Sequence, residues 1–217
     1  MERQRLAEIQ RRIAARVKPG RLERAEVVAG ADAAYAGSLA AGAVAVVEGG
    51  RVVERSTACQ RVHLPYIPGY FAFREMGAVI KAVRRVRSRV DVLLVNGHGV
   101  AHPRRCGIAT HLGVLLRIPT VGVAGRLLCG RVEGEPEENS PAPVVHGGEV
   151  VGYALRRGSR EVYVSPGHLV SAEEALRLVQ SLPFRGRLPL PLHEAHATAE
   201  RVKKRIINGD AEIVIKG

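Results

Sequence analysis

Apolar residues at near-helical spacing open the chain: Leu6, Ile9, Ile13 and Val17 predict an amphipathic helix over residues 2–18, ended by Pro19-Gly20. The pattern then changes to strands. Residues 26–36, 41–48 and 51–58 read as a three-strand antiparallel meander, with turns at Gly37-Ser38 and Gly49-Gly50. A proline-rich turn, Pro65 to Gly69, precedes a helix expected from Phe71 to Val86, with Met76, Val79, Ile80 and Val83 facing inward. Asp91-Val92-Leu93-Leu94-Val95 has the near-continuous apolar character of a buried parallel strand and runs into a glycine-rich loop, Asn96-Gly97-His98-Gly99. A helix near 107–117 and a strand over 119–123 follow. Residues 133–147 are polar and proline-rich and read as a surface excursion. Strands at 149–156 and 161–165, helices near 171–181 and 193–206, and a short strand or frayed end over 210–217 complete the pattern.

A meander followed by alternating helices and parallel strands predicts an α/β fold. Its mixed sheet joins a three-strand antiparallel meander to parallel strands, with helices on both faces, an order that matches ribonuclease H-like architecture. No linker or internal repeat divides the 217 residues, so one domain spanning 1–217 is expected. The longest apolar runs are of strand length, too short to span a bilayer, and the charged N-terminus lacks a signal region; a cytoplasmic protein without membrane contact is the expectation. Cys59, Cys106 and Cys129 are odd in number and lack a Cys-x-x-Cys pair, which argues against a zinc ribbon or disulfide framework and for small buried residues. The formal net charge of +12 changes the picture more. Arginine supplies 28 of the 33 basic residues and grips phosphate bidentately, which makes nucleic acid a candidate partner. Genome composition or a hot habitat would produce the same excess.

Only three aspartates occur: Asp32, Asp91 and Asp210. Asp32 stands alone in the apolar strand Val27 to Tyr35. A carboxylate unpaired inside a sheet costs several kcal/mol, so a divalent metal, an arginine partner or a solvent-facing strand end must compensate it. Glu75 lies near the start of a helix, where the helix dipole alone would accommodate it. Asn96 closes a buried strand, at the place where open α/β sheets carry ligand sites. The glycines after it could bring backbone amides against a phosphate or base, or form a simple turn. No dinucleotide fingerprint is present there. His102, Arg104, Arg105 and His111 add donors beyond the loop. His193-Glu194-Ala195-His196 departs from the zincin spacing.

Taken together, these segments resemble the endonuclease V family over roughly residues 26–205. The resemblance rests on Ala29 to Tyr35, Pro65 to Glu75, Asn96 to Arg104 and Ala109 to Gly113, and continues through Pro119 to Ala124, Val164 to His168 and Glu194 to His196. It implies a ribonuclease H-like nuclease that recognises deaminated purine, chiefly inosine, in DNA or RNA. Such an enzyme cuts the second phosphodiester bond 3′ to the lesion with Mg2+, for which Mn2+ substitutes. By similarity the catalytic group is Asp32, Glu75, Asn96 and His196, with Asp32, Glu75 and Asn96 at the metal. Tyr66 matches the wedge that parts the strands. Pro68, Gly69, Phe71, Gly97 and His102 match the pocket for the flipped base, and a monomer is expected.

Two departures bear on activity. The family carries an aspartate where this chain has Asn96, and Asp91 cannot replace it, since five strand residues span about 16–17 Å. The family also carries a lysine where Gly125 stands, and Arg126 is the nearest substitute for it as a phosphate contact. Two expectations follow: an active inosine-directed nuclease, or a protein of the same fold that binds inosine-containing strands and cuts them poorly.

Overall fold

The computed structural model describes residues 2–62, 64, 65, 67–138 and 140–209. Its elements are α1 (Glu2–Ala14), β1 (Val27–Ala36), β2 (Leu39–Glu48), β3 (Arg51–Arg61), α2 (Ala72–Arg84), β4 (Val92–Asn96), α3 (Ile108–Leu116) and β5 (Thr120–Ala124). They continue with β6 (Arg131–Val132), β7 (Ala142–His146), β8 (Glu149–Arg157), β9 (Arg160–His168), α4 (Ala172–Ser181), β10 (Phe184–Arg185), β11 (Leu188–Pro189) and α5 (Leu190–Ile207).

Nine strands form one ribonuclease H-like mixed sheet in the order β3-β2-β1-β4-β5-β9-β8-β7-β6, and β10 and β11 form a separate small hairpin. The meander is as expected, with β1 against β2 from Val27↔Glu48 to Ala36↔Leu39. Parallel pairing is confined to β1, β4 and β5. β9 returns antiparallel to β5, so the later strands extend the sheet as hairpins rather than as crossovers.

Side-chain alternation explains why the central strands read as continuous apolar runs. Val28, Val92, Leu94, Val121 and Val123 pack with Ala175, Leu178 and Val179 of α4 and Leu192 of α5. Their neighbours Ala29, Ala31, Leu93 and Val95 pack with Val79 and Ala82 of α2 and with Ile108 and Leu112 of α3. Helices cover both faces, so neither set is left to water. Small residues set how closely the helices approach. A Cβ on Gly30 would lie 2.2 Å from the Pro191 carbonyl carbon, and one on Gly42 would lie 2.5 Å from that of Ala78. The backbones of α5 and α2 therefore rest directly on β1 and β2.

Some boundaries differ from the expectation. α1 stops at Ala14 because the following segment is drawn to the end of β9: Lys18 N–H donates to His168 Nδ1 at 3.3 Å, and Leu169 N–H donates to the Lys18 carbonyl at 2.8 Å. The excursion over 133–147 is only partly irregular, since β7 pairs with both β8 and β6 at the sheet edge. α5 begins at Leu190, earlier than 193, with Pro191 in its first turn, where a missing N–H costs no helix bond. All three cysteines are free, yet only Cys106 is buried; Cys59 lies on the edge strand β3 and Cys129 in a loop, and both are half-buried. The segment 210–217 lies outside the described residues. Among those described, no helix is long and apolar enough to cross a membrane.

Candidate functional site

The parallel register of β1 and β4 pairs Ala31 with Val95, which brings the next residues, Asp32 and Asn96, side by side. Asp32 is 7% exposed, and three donors converge on its carboxylate. Oδ1 accepts the Ala33 N–H at 2.8 Å and an Asn96 Nδ2–H at 3.1 Å. Oδ2 accepts Nδ1–H of His196 at 2.8 Å. That bond raises the pKa of His196, which reaches the site from α5 and remains partly open to solvent.

Glu75 completes the acidic group from the first turn of α2. It is 3% exposed, so the dipole of a surface helix end does not account for it. Burial and the neighbouring Asp32 charge hold its carboxyl well above the usual carboxylate range. Asp91 is elsewhere, tying down the start of β1: its Oδ2 accepts the N–H groups of Glu26 and Val27 at 3.2 and 3.1 Å.

The acidic group lies at the floor of a cleft of about 540 Å³. Its walls include Pro68, Gly69, Phe71, Gly97, His102 and Arg126, so the structure brings together the described members of the predicted set. Tyr66 lies outside the described residues. Gly69 adopts φ +78°, a left-handed conformation that suits glycine, and turns its carbonyl toward three donors. Gln10 Nε2, Arg104 Nη2 and His102 Nε2 donate to it at 2.9, 2.9 and 3.0 Å. His102 Nδ1 accepts the Arg104 N–H at 3.1 Å, which fixes the neutral tautomer. Burial agrees with that assignment by pushing the His102 pKa down to about 4.

The loop after Asn96 does not offer the glycine amides considered above to a phosphate. Gly97 N–H is spent on the Val123 carbonyl at 2.9 Å, and Gly99 N–H on Ser165 Oγ at 2.8 Å. Glycine is needed here for close packing, since a Cβ on Gly99 would lie 2.0 Å from the Pro166 carbonyl oxygen. His98 donates Nε2–H to the Arg126 carbonyl at 2.9 Å and so ties the Gly125-Arg126 turn to this loop.

Two cleft residues were missed in the sequence. Gln10 is 1% exposed, donates also to the Cys106 carbonyl at 3.2 Å, and accepts from Arg104 Nε at 2.6 Å. Its place on the inner face of α1, beside Leu6, Ile9 and Ile13, was a usable signal: a polar residue among inward positions must find partners. Arg187 enters from the turn between β10 and β11, and no sequence pattern marked it.

The donors suit a hard divalent cation. Two buried carboxylates repel each other without one, as the raised Glu75 pKa reflects, and the Asn96 side chain adds an amide oxygen. Mg2+ characteristically takes one or two carboxylates and completes its shell with water and phosphate. Among the described residues, no three of His, Cys, Asp and Glu converge as a metal cluster; Asp32, Glu75 and Asn96 are the cleft residues whose oxygens could hold a cation.

A ribonuclease H-like sheet with one carboxylate on β1, a second on the helix packed beside it, and a strongly basic chain around them are features of the nuclease class. Comparison with known proteins gives the family. A sequence model described as Endonuclease V matches residues 8–197. Endonuclease V of Methanopyrus kandleri is 42% identical, over 92% of this chain and 88% of its own length. The crystal structure of endonuclease V from Streptomyces avermitilis superposes with a TM-score of 0.85 at 33% identity, covering 94% of this chain and 93% of the other. Endonuclease V of Ciona intestinalis, crystallised with a DNA containing an inosine, shares the fold with a TM-score of 0.82 at 24% identity, covering 94% and 98%. The chain belongs to the endonuclease V family.

Proposed function

We propose that this chain is a metal-dependent endonuclease that recognises inosine in DNA or RNA and hydrolyses the second phosphodiester bond 3′ to it. The observation that carries this reading is the convergence of Asp32 and Glu75 in the lining of a cleft that Gly69, held by three hydrogen bonds to its carbonyl, helps to wall. Family membership implies a divalent metal cofactor, and the reading assigns Mg2+, with Mn2+ as its substitute, to Asp32, Glu75 and Asn96. When bound, the cation supplies charge neutralisation at the phosphate and lowers the pKa of water.

The chain's own residues do the rest. His196 holds the Asp32 carboxylate in one orientation through the 2.8 Å bond. Glu75, buried beside Asp32 in the cleft lining, would hold the cation as the second carboxylate of the pair. Pro68, Gly69, Phe71, Gly97 and His102 form the base pocket; a volume of about 540 Å³ is ample for a flipped purine. His102, kept neutral, acts as a wall and loop clamp rather than as a charge. Tyr66 is assigned the strand-parting role on the resemblance alone, and Arg126, at the rim, a phosphate contact. The reading further takes 1–217 as one domain, acting as a cytoplasmic monomer in nucleic-acid repair.

A specific observation favours a second reading, that of an inosine-binding protein that cuts poorly. The Asn96 amide already stabilises one oxygen of Asp32 by hydrogen bonding and brings no charge of its own. Two measurements on the same strands separate the two. Inosine-containing DNA and RNA strands and unmodified controls are incubated with Mg2+ or Mn2+ and products are sized on a denaturing gel, while binding of each strand is measured by fluorescence polarisation in EDTA. Nicks one nucleotide beyond the inosine's own 3′ bond support the enzyme. Selective binding without nicks supports the second reading, and equal binding to all strands rejects both.

A further inference from the structure

A second cavity, of about 720 Å³, lies beyond the cleft and shares one residue with it. Arg187 lines both spaces. Two other arginines, Arg157 and Arg160, line the second cavity with Phe184, Gly158, Ser159, Gly186 and one acid, Glu138. Arg157 closes β8 and Arg160 opens β9, so the tight turn at Gly158 holds the pair beside each other. Among the described residues none of these three arginines forms an ion pair with a carboxylate. Among the described residues, seven other arginine or lysine side chains do so.

Two of the three are also held in place. The Arg157 guanidinium lies 4.2 Å above the centre of the Phe184 ring, which fixes its plane and leaves its Nε buried without a partner. Arg187 extends across Gly125, where a Cβ would come to 3.1 Å from its Nη1, so the missing side chain at 125 leaves room for this guanidinium at the cleft mouth. Unpaired guanidinium groups held by stacking and by a tight turn match a run of phosphates, which present two oxygens each at regular intervals.

We propose that Arg187, Arg157 and Arg160 form a track that grips the phosphate backbone of the substrate strand on one side of the cleft. This rests on the nuclease reading above. A single strand is the favoured occupant because the track begins inside the cleft that holds the carboxylates, and because Phe184 adds an aromatic surface of the kind on which strands stack. An acidic peptide would have no reason to continue into that cleft.

The test is fluorescence-polarisation binding of inosine-containing oligonucleotides in EDTA, at several salt concentrations. One oligonucleotide ends close to the lesion, and two others extend it on the 5′ or the 3′ side. The Arg157→Ala/Arg160→Ala variant is expected to bind one of the two extended strands about ten-fold more weakly and to lose about 1.4 from the log–log salt slope, two phosphates' worth for single strands. Binding of the short strand should be unchanged. The Arg157→Lys/Arg160→Lys variant should keep most of the slope, and it serves as the test if melting shows the alanine variant to be unfolded. An unchanged slope on both extended strands, an equal loss on the short one, or a lysine variant as poor as the alanine variant would each overturn the track. The native chain's preference for inosine over guanosine is read in the same titrations. Loss of that preference with the slope effect intact overturns the lesion reading alone.

Discussion

Asn96 donates an N–H of its side-chain amide to Oδ1 of Asp32 at 3.1 Å, which puts a hydrogen-bond donor where an aspartate would add a further carboxylate to the Asp32–Glu75 pair. Two carboxylates that close do not both ionise without a cation between them. The amide therefore makes the acidic group tolerable without metal and, by the same bond, weakens its demand for one. Asn96→Asp should reverse both effects. Nicking of inosine strands in Mg2+ should rise on the order of ten-fold or more, as an interaction with the metal-bound transition state is gained. Stability in EDTA should fall by about 1–3 kcal/mol and return when Mg2+ is added. Gel assays and thermal melts with and without Mg2+ check this, and a variant whose melting ignores Mg2+ would remove position 96 from the metal site.

Gln10 supports the cleft from a helix remote in sequence. Its amide joins the Gly69 carbonyl, the Cys106 carbonyl and Arg104 Nε in one buried network. Gln10→Ala leaves those groups partly unsatisfied, at a cost of about 2–3 kcal/mol. Because Gly69 walls the proposed base pocket, discrimination between inosine and guanosine strands should narrow as well. Denaturant melts and paired binding titrations measure the two effects; a loss of stability with discrimination unchanged would show that the network holds the fold and not the pocket.

How much of this was legible depends on the range of the interaction. The apolar run at 91–95 and the alternation over 26–58 were readable because each records burial that repeats with the period of its own element. Asp32 was readable because one charge in an apolar strand requires a partner, and Glu75, Asn96 and His196 were attached to it through the family resemblance. The partners' geometry was not readable: that Asn96 would present its amide N–H to Asp32 follows from the register of β1 against β4. Arg187 was opaque for the same reason, since only the path of the chain through β10 and β11 brings it across Gly125. Strand β7, beside the two-residue edge strand β6, lacked an apolar pattern strong enough to stand out from its polar surroundings.

Buried histidines make the fold sensitive to acid, His102 and His111 most of all. Burial pushes the pKa values of His102 and His111 down to about 4, from an ordinary 6.5. Above pH 6.5 both are neutral, folded or unfolded. Between 6.5 and 4 the unfolded chain takes up protons that the folded chain refuses, so stability falls as pH falls, by up to about 1.4 kcal/mol per pH unit for each group. His111 packs edge-on against Phe73 at 5.3 Å and its Nδ1 has no partner, so little compensates its protonation. His111→Leu should remove its own share of that dependence over this window, up to about 1.4 kcal/mol per pH unit. Urea denaturation at intervals from pH 4 to 8 checks this, and an unchanged slope would show that His111 is not a source of the acid sensitivity.

Gly30 links the fold to the acidic group without touching it. It precedes Asp32 by two residues on β1, and a Cβ there would lie 2.2 Å from the Pro191 carbonyl carbon and 2.5 Å from the Leu192 nitrogen. Those atoms are the backbone of the first turn of α5, which cannot yield as a side-chain tip can. Gly30→Ala must therefore push the start of α5 off the sheet, and His196 lies on the same helix. Overpacking of this kind costs about 1–3 kcal/mol or more. Displacement of α5 should also lengthen the 2.8 Å bond between His196 and Asp32. Two readouts are expected to move together: a lower melting temperature, and a His196 pKa, followed by NMR titration, that drops back toward the ordinary imidazole value as its carboxylate partner recedes. A destabilised variant whose His196 titration is unchanged would show that α5 absorbs the added methyl by a local adjustment of its first turn, and that the acidic group is insulated from the packing at Gly30.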